Sequence, residues 1–339
     1  MRVMSNLEYA TAVRELQPLL GKRFGRIRRL PQGWYRMKVG DAEIVIEPGV
    51  RLHRTKYVEE AESPDQLVQK AEAELDNSKL LAIRQVNNDR IIEFEFERGK
   101  LVFEMFGKGN CVLVKDGKTL AAMKEEAWAD REIRKGKEYR YPKSNVAPGF
   151  REALSDRYVI IALLKLPLGK EYAQEILARC DVPEKTPGIG LTGKQIECIG
   201  DEVAEVGAAR NPHVFYENGR PVDFGLLHFL KYKDAENKDF ASLNEALDEF
   251  YWNADRGAEN PELERLERRL AEQEKRLGEL EEEEKGHKAA GDYIYAHYEE
   301  IENILKEAKS APLAGLDKRF EKLKPKIDKK EKTMEIELG

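Results

Sequence analysis

The sequence predicts an α+β protein built in three parts. Up to residue 115, short segments alternate apolar and polar residues between Gly, Asn and Asp turns, as antiparallel strands do. From 151 to 255 the apolar residues follow a helical period, and from 261 onward they follow a heptad. A chain of 339 residues also exceeds one ordinary core. We therefore predict a mainly antiparallel β domain at 1–150, a helical domain at 151–255 and a long coiled-coil arm at 256–339.

The first domain opens with a helix-start signal. Ser5 and Glu8 are spaced as a capping box, so a helix is predicted over 5–20. Antiparallel strands follow in "GKRFGRIRRL", "GWYRMKVG" and "AEIVIEPGVRLHRT", and Pro64 begins a second predicted helix over 64–82. Further strands are predicted at 84–87, 90–97, 100–106 and 110–115, the last turning through Asp116-Gly117.

The second domain contains Gly-bearing turns followed by helices, in "LPLGKEYAQEILARC" and "TPGIGLTGKQIECIGDEV". Both resemble helix-hairpin-helix elements, in which the turn presents backbone N–H groups to a phosphate. Gly188, Gly190 and Lys194 are the candidates for such a contact, although most elements of this kind serve packing. A strand pair is predicted in "PHVFYENGRPVDFG", and "SLNEALDEFYW" is typical of a capped helix.

The third part keeps one heptad frame from Pro261 onward, with Leu263, Leu270 and Leu277 at successive a positions. The frame is interrupted at "EEEEKGHKAAG", where a kink or bulge is predicted. Such a pattern predicts a coiled coil. The coil serves either as a spacer or as a homodimerisation element, and the sequence leaves both roles open.

Composition excludes several classes of protein. Asp plus Glu outnumber Lys plus Arg by 64 to 58, a net charge of −6, which argues against a generic nucleic-acid coat. The separated cysteines Cys111, Cys180 and Cys198 predict a reducing compartment without disulfides or a zinc site. No metal is predicted, because His287 lacks a second ligand at a suitable spacing. No apolar run approaches the ~18 residues of a membrane span, so a cytoplasmic protein without a membrane partner is expected.

Eight segments stand in a specific order, namely "SNLEYATAVREL", "EPGVRLHRTKY", "QVNNDRIIEFEF", "EMFGKGNCVLV", "LGKEYAQEI", "VFYENGRPVDF", "SLNEALDEFY" and "AGDYIYAHYEEIENIL". This order resembles the N-terminal half of the NFACT family, the fibronectin-binding-protein-like ribosome quality-control factors, in its archaeal and eukaryotic type. The resemblance implies a first domain like the N-terminal domain of formamidopyrimidine-DNA glycosylases, then a helix-hairpin-helix domain and a coiled coil with the start of a middle domain. It also implies a truncated or naturally short chain, since the family's C-terminal RNA-binding domain is expected beyond residue 339.

The resemblance further implies a function in ribosome quality control. Members of the family bind the large ribosomal subunit and its rRNA while the subunit still holds a stalled peptidyl-tRNA. They recruit tRNA, in several lineages of the alanine or threonine type, and support template-free C-terminal tailing of the nascent chain. Peptide transfer belongs to the ribosome, so the resemblance implies no enzyme and no cofactor.

The segment "QVNNDRIIEFEF" carries the main site candidates. By resemblance, the family's critical Asp-Arg pair falls on Asp89 and Arg90, and a third acidic position falls on Glu8. Arg90 can fork onto a phosphate or stack on an unpaired base, and Asp89 can accept from a base edge or hold Arg90 in place. The plain alternatives are a turn with a surface ion pair and a capping role for Glu8. The further tRNA-binding candidates are Asn110 and the residues Lys22, Arg26 and Arg28. Two-residue alternation places the last three on one face of a strand, and the plain alternative is that this face is simply exposed to solvent.

Two other functions stay open on sequence alone, a self-associating coiled-coil scaffold without an RNA role and a nucleic-acid-binding relative of DNA-repair proteins. Catalysis is not expected, because "MRVMSNLEYA" lacks the N-terminal Pro of a glycosylase and no Walker motif, Ser/His/Asp order or metal cluster is recognisable. The segment "KAEAELDNSKL" argues against an RNA contact through the second helix. Relatives carry Arg and Lys there, whereas Glu72, Glu74 and Asp76 would repel phosphate.

Overall fold

The computed structural model describes residues 2–57, 64–155, 157–257, 261–296, 298–310, 326–328 and 333–335. The chain divides into two compact units, Met1–Ala258 and Glu259–Gly339. The first unit contains both predicted globular parts, and the second contains most of the predicted arm. The finer division between residues 150 and 151 stays a prediction.

Antiparallel sheets form the N-terminal half of the first unit. A four-stranded sheet follows chain order and consists of β1 (Phe24–Arg29), β2 (Tyr35–Val39), β3 (Ala42–Glu47) and β4 (Arg51–Thr55). A five-stranded sheet also follows chain order and consists of β5 (Leu80–Gln85), β6 (Ile91–Phe96), β7 (Gly99–Glu104), β8 (Asn110–Lys115) and β9 (Lys118–Ala122). A short pair follows, β10 (Glu126–Ala127) and β11 (Glu132–Ile133). These sheets confirm the predicted antiparallel β domain.

The helices of this half are α1 (Asn6–Glu15) and α2 (Gln66–Leu75). The predicted capping box of α1 is confirmed, because the Ser5 hydroxyl accepts from the Glu8 N–H at 3.3 Å and the Glu8 carboxylate accepts from the Ser5 N–H at 2.6 Å. The second helix is shorter than the predicted 64–82. Asn77 adopts a left-handed φ of 55°, and the chain from Leu80 onward belongs to β5.

Helices and a small sheet form the C-terminal half of the first unit. The helices are α3 (Phe150–Ala153), α4 (Val159–Leu164), α5 (Lys170–Arg179) and α6 (Gly193–Ala208). The sheet has the order β13-β12-β14, built from β12 (His213–Glu217), β13 (Arg220–Gly225) and β14 (Glu236–Asp239), and α7 (Leu243–Gly257) follows it. The predicted hairpin between β12 and β13 is confirmed, since Asn218 and Gly219 have φ of 53° and 74°.

Two of the cysteines are bonded to each other. Cys180 follows α5 and Cys198 lies in α6, and their Cα atoms are 6.0 Å apart in a disulfide. The prediction of three unpaired cysteines is therefore wrong for this pair. The packing of the two helices brings the thiols together, and no spacing motif in the sequence indicates it. Cys111 is buried in β8 as predicted.

A hydrophobic core joins the two halves of the first unit. Fully buried aromatic rings come from both, namely Tyr9 of α1, Phe94 of β6, Tyr172 of α5, Phe215 of β12 and Tyr251 of α7. Helix α7 packs against both β4 and β13, so it contacts the first half and the second. Surfaces formed between the halves therefore rest on one continuous packed interior.

The second unit contains α8 (Pro261–Ala296), α9 (Tyr298–Ser310) and the antiparallel pair β15 (Lys326–Asp328) and β16 (Thr333–Glu335). Helix α8 runs without a break through residues 281–291, where a kink or bulge is predicted. The apolar side chains of Leu270, Leu277 and Leu280 are exposed on it, and their pairing in a coiled coil stays a prediction. No helix within the described ranges is long and apolar enough to cross a membrane.

The turn before β8 lies directly against the turn before β4. Gly109 has a φ of +61°, and a Cβ at this position would stand 2.2 Å from the carbonyl carbon of Pro48 and 2.3 Å from the nitrogen of Gly49. Only a residue without a side chain permits this approach of two backbones. The contact ties the five-stranded sheet to the four-stranded sheet.

We expect the substitution Gly109→Ala to lower the free energy of unfolding markedly. A left-handed residue with a Cβ costs about 1–2 kcal/mol, and steric overlap in a packed site adds about 1–3 kcal/mol. Gly117→Ala is the matched control, because Gly117 also has a positive φ, +74°, but no described atom lies within 4 Å of its Cβ position. Urea unfolding of both variants measures the difference, and equal losses would contradict the close approach.

Candidate nucleic-acid interface

A groove of about 750 Å³ lies between the two halves of the first unit. We call it the N-terminal groove, and its lining comes from Phe106 and the segments 2–6, 89–90, 142–146 and 164–171. These segments are the start of α1, the residues before β6, the chain that leads into α3 and the turn from α4 into α5. Asp89 and Arg90 both belong to this lining.

The polar residues before β6 form a tight turn that sets Asp89 and Arg90 at the groove. Asn87 and Asn88 adopt left-handed φ values of 54° and 52°, which Asn tolerates better than most residues. The side chain of Asn6 donates to the Asn88 carbonyl at 3.0 Å and so ties the turn to α1. The Asp89 carboxylate accepts from the Arg90 N–H at 2.7 Å. Asp89 therefore fixes the backbone that carries the Arg90 side chain.

The groove offers positive charge to a ligand. Asp89 and Arg90 are both half-buried, and within the described part of the chain the Arg90 guanidinium has neither an ion pair nor a hydrogen-bond acceptor. Lys165 and Lys170 are exposed and also lack an ion pair among the described residues. Lys143 is 85% exposed and lies 3.8 Å from a surface carboxylate. The lining thus combines several cations that can bind phosphate with a carboxylate that can accept from a base.

A buried ion cluster borders the groove, formed by Arg2, Glu8, Tyr172 and Asp223, and we call it the Arg2 cluster. The Arg2 guanidinium lies 2.7 Å from Glu8 and 2.8 Å from Asp223, and the Tyr172 hydroxyl donates to Glu8 at 2.9 Å. Burial acts to lower the pKa of Arg2, but the neighbouring carboxylates hold that pKa above its ordinary value. The guanidinium therefore stays charged and joins the N-terminal segment to α1, α5 and β13.

Two predicted tRNA contacts lie in the protein interior. Glu8 is fully buried, with its carboxylate accepting hydrogen bonds from three protein donors. Asn110 is also buried, and its Nδ2 donates to the Lys124 carbonyl at 2.9 Å and to Glu126 at 3.0 Å. A direct contact with RNA is closed to both side chains because protein groups already saturate them. We therefore correct their role from contact to structural support.

The predicted basic face of β1 is largely neutralised by neighbouring acids. Arg26 lies 3.7 Å from Glu43, and Arg28 forms an ion pair with Glu72 of α2. A register shift at the start of β1 interrupts the two-residue alternation, and Lys22 lies before the strand. The described lining of the N-terminal groove includes none of these three cations. The acidic helix that was expected to repel phosphate instead holds one of the strand's arginines.

The predicted phosphate cradle before α6 is also corrected. The Gly188 N–H donates to the Arg157 carbonyl at 2.9 Å, and the Gly190 N–H donates to the Pro187 carbonyl at 2.9 Å. Both N–H groups are used within the chain and are not free for a phosphate. Lys194 is exposed in the first turn of α6 and is separate in sequence from the segments that line the groove. Its contact with a phosphate stays a prediction.

The groove also contains cations that the sequence analysis missed. Lys170 is the first residue of α5, directly after Gly169 with its φ of +119°. A Gly-Lys pair at a helix start could have been recognised in the sequence, because a helix N-terminus is a place where anions bind. A Cβ at Gly169 would stand 2.3 Å from the Cβ of Ser5, so the starts of α1 and α5 touch. Lys143 and Lys165 carry no local signal, because only the tertiary fold brings them to the groove of Asp89.

The family model described as "NFACT N-terminal and middle domains" matches residues 7–335 of this chain. The archaeal Rqc2 homolog aRqcH of Methanocaldococcus jannaschii is 25% identical over an alignment 353 residues long. The alignment covers 91% of this chain and 52% of the relative. The human ribosome quality control complex subunit NEMF is 23% identical over 254 residues, 72% of this chain and 21% of the relative. The chain thus spans about half the length of the archaeal relative and about a fifth of the human one.

A solved structure with the same fold is that of the fibrinogen binding protein from Staphylococcus aureus. It aligns at a TM-score of 0.58 with 20% sequence identity, over 73% of this chain and 98% of that chain. The likeness concerns the fold alone. The predicted likeness to formamidopyrimidine-DNA glycosylases stays a prediction, because the MutM (Fpg) protein from Thermus thermophilus aligns at a TM-score of only 0.32.

We expect Glu8→Ala to destabilise the fold by about 3–5 kcal/mol, since it leaves the buried Arg2 charge without its nearest carboxylate. Glu171→Ala is the matched control, because Glu171 is partly exposed and lies 3.6 Å from the same guanidinium. Chemical unfolding should show a clearly larger loss for Glu8→Ala than for Glu171→Ala. A loss below about 1 kcal/mol at Glu8 would contradict the structural role assigned to it.

Proposed function

Because the chain belongs to the family of NFACT N-terminal and middle domains, we propose that it acts in ribosome-associated quality control. It binds the large ribosomal subunit and its rRNA while the subunit still carries a stalled peptidyl-tRNA. There it recruits a further tRNA and supports template-free C-terminal tailing of the nascent chain. The printed names of the archaeal and human relatives, an Rqc2 homolog and a ribosome quality control complex subunit, support this proposal.

The recruitment of tRNA is supported by one observation above all. The Arg90 guanidinium stands in a groove and has no ion pair or hydrogen-bond acceptor among the described residues, while Asp89 fixes the backbone beneath it. Arginines that serve packing or folding are normally paired with a carboxylate, as Arg2 and Arg28 are in this chain. An unpaired guanidinium held at a groove suits a ligand that brings its own anion.

The groove suits a single-stranded part of the tRNA, such as an anticodon loop. The planar guanidinium of Arg90 forks onto a phosphate or stacks on an exposed base, and Phe106 adds an aromatic side chain to the lining. The free acceptor capacity of Asp89 reads a donor on a base edge. Lys143, Lys165 and Lys170 contact the phosphates on either side, which contributes affinity without sequence preference.

The remaining parts of the proposal follow from family membership. The protein is not an enzyme and needs no cofactor, because it positions RNA while the ribosome transfers the peptide. The recruited tRNA is of the alanine or threonine type. Residues 151–255 act as a helix-hairpin-helix domain, and α8 with α9 forms a coiled-coil arm that reaches across the ribosomal subunit in the cytoplasm, with self-association through the coil as a second use.

We expect the double substitution Asp89→Ala with Arg90→Ala to weaken tRNA binding by about tenfold or more. This loss corresponds to a free energy of about 1.4 kcal/mol, in the range of one charge-assisted hydrogen bond. Fluorescence anisotropy with labelled tRNA measures the affinity, and co-sedimentation with large ribosomal subunits measures docking. The variant should keep its fold, because the two side chains are not part of the hydrophobic core. Docking to the large subunit should therefore be retained.

The matched control is Glu138→Ala with Arg140→Ala. These residues form an exposed ion pair at 2.7 Å in the same domain and outside the described groove lining, and their removal likewise leaves the net charge unchanged. The control should bind tRNA as the parent does. If the Asp89/Arg90 variant also binds tRNA as the parent does, the site assignment is wrong; if the parent binds neither tRNA nor large subunits, the functional proposal itself fails.

Removal of the groove lysines should change the salt dependence of binding. For Lys165→Ala and Lys170→Ala, we expect the slope of log affinity against log salt concentration to become shallower by about 0.7–0.9 per lost phosphate contact. Lys118→Ala and Lys135→Ala serve as controls, since both are exposed and lie outside the described lining. A slope that is unchanged in the groove variants, measured between low and moderate salt, would remove these lysines from the interface.

A further inference from the structure

Three side chains of the kind that bind metal ions meet on the small sheet, outside the described lining of the N-terminal groove. His213 on β12 and Asp239 on β14 lie directly opposite each other in the strand register. Such cross-strand partners carry their side chains on the same face, with Cβ atoms about 4.5–5.5 Å apart. The two side chains are in contact, as His213 Nδ1 lies 2.6 Å from Asp239 Oδ1.

The third side chain, His228, reaches this pair because of a glycine. Gly225 lies opposite His213 on β13, and a Cβ there would stand 2.6 Å from the ring of Phe229. The missing side chain lets the chain after β13 fold back onto the sheet, where Phe229 is buried 5.6 Å from the ring of Phe215. Anchored by its neighbour, His228 places its ring centroid 3.8 Å from that of His213.

The spacing of the ligand atoms is close to that of a metal centre. One ligand atom from each of His213, His228 and Asp239 lies within 4.8 Å of the others. Tetrahedral zinc, with bonds of about 2.0–2.2 Å, needs its ligand atoms about 3.3 Å apart. The Asp239 carboxylate already lies closer than this to His213, whereas the 4.8 Å limit leaves room for a wider gap elsewhere in the group. The His228 imidazole and the Asp239 carboxylate are both exposed, so each side chain can shift by this small distance.

The buried histidine has an unmet bonding capacity. Within the described residues, Nε2 of His213 is buried without a hydrogen-bond partner. A buried polar atom of this kind lowers the stability of a protein unless a ligand or an ion binds to it. The spacing of the ligand atoms and the unsatisfied ring nitrogen both indicate a site for a metal ion.

We propose that His213, His228 and Asp239 form a binding site for a divalent transition-metal ion of the zinc type. Imidazole nitrogens with one carboxylate favour such ions over Mg²⁺ and Ca²⁺, which take oxygen ligands. Because His228 and Asp239 are exposed, a fourth position of the ion is open to water. The ion holds β14 and the turn of Phe229 against β12, and this role is independent of RNA binding at the N-terminal groove.

The test uses the whole 339-residue chain after treatment with a chelator. We expect Co²⁺ to bind and to give the visible absorption of a four-coordinate ion, and Zn²⁺ to displace it, with calorimetry giving one ion per chain. His228→Ala and Asp239→Asn should each weaken Zn²⁺ binding by roughly tenfold or more, since loss of even an outer partner of a metal ligand costs roughly 10- to 100-fold. Both side chains are exposed, so these variants should keep the fold, which circular dichroism checks.

His287→Ala is the matched control, because His287 is exposed on α8 and belongs to no described cluster of metal-ligating groups. It should bind Zn²⁺ as the parent does. The proposal is overturned if the parent binds no ion at micromolar concentration. It is equally overturned if binding survives unchanged in both His228→Ala and Asp239→Asn, which would assign the ion to other residues.

Discussion

The buried charge of Arg2 is the constraint on which the first unit depends. A guanidinium in the interior requires carboxylates around it, and the chain supplies them from α1 and from β13. The Tyr251 hydroxyl of α7 donates to the Arg2 carbonyl at 2.7 Å, and Lys231 lies 2.7 Å from the same Asp223. The N-terminal segment is thereby fixed to both halves of the unit. This fixed segment forms one wall of the N-terminal groove.

The features of the fold that could be predicted are those that depend on a few neighbouring residues. The capping box at Ser5 and the turn at Asn218-Gly219 rest on local backbone conformation, which the residue types specify directly. The end of α2 could not be predicted in this way. The chain leaves the helix because it pairs with the segment at and just before β1. The Phe24 N–H donates to the Ser78 carbonyl and the Leu80 N–H donates to the Lys22 carbonyl, each at 2.8 Å, and no local pattern reveals these partners.

The candidate site shows the same division. Sequence and family resemblance identified the Asp89-Arg90 turn, because a polar run before a buried strand is conspicuous. The burial of Glu8 and Asn110 could not be predicted, because their hydrogen-bond partners, Tyr172 and Lys124, come from other parts of the chain. Lys165 enters from a distant part of the chain, and the His213, His228 and Asp239 group combines a strand pair with a returning turn at spacings that match no metal motif. Contacts of this kind are set by the tertiary fold.

The touching helix starts at Ser5 and Gly169 have a consequence for the RNA role proposed above. The Ser5 side chain lies directly against the backbone of Gly169, and the packed interior behind them leaves that end of the groove unable to deepen when a ligand arrives. Adaptation must then come from the polynucleotide. A base that has already left its stack enters at a lower free-energy cost than a paired one. In the proposed RNA role, the site therefore selects an unpaired strand first, and Asp89 reads a base edge only on a strand that is already open.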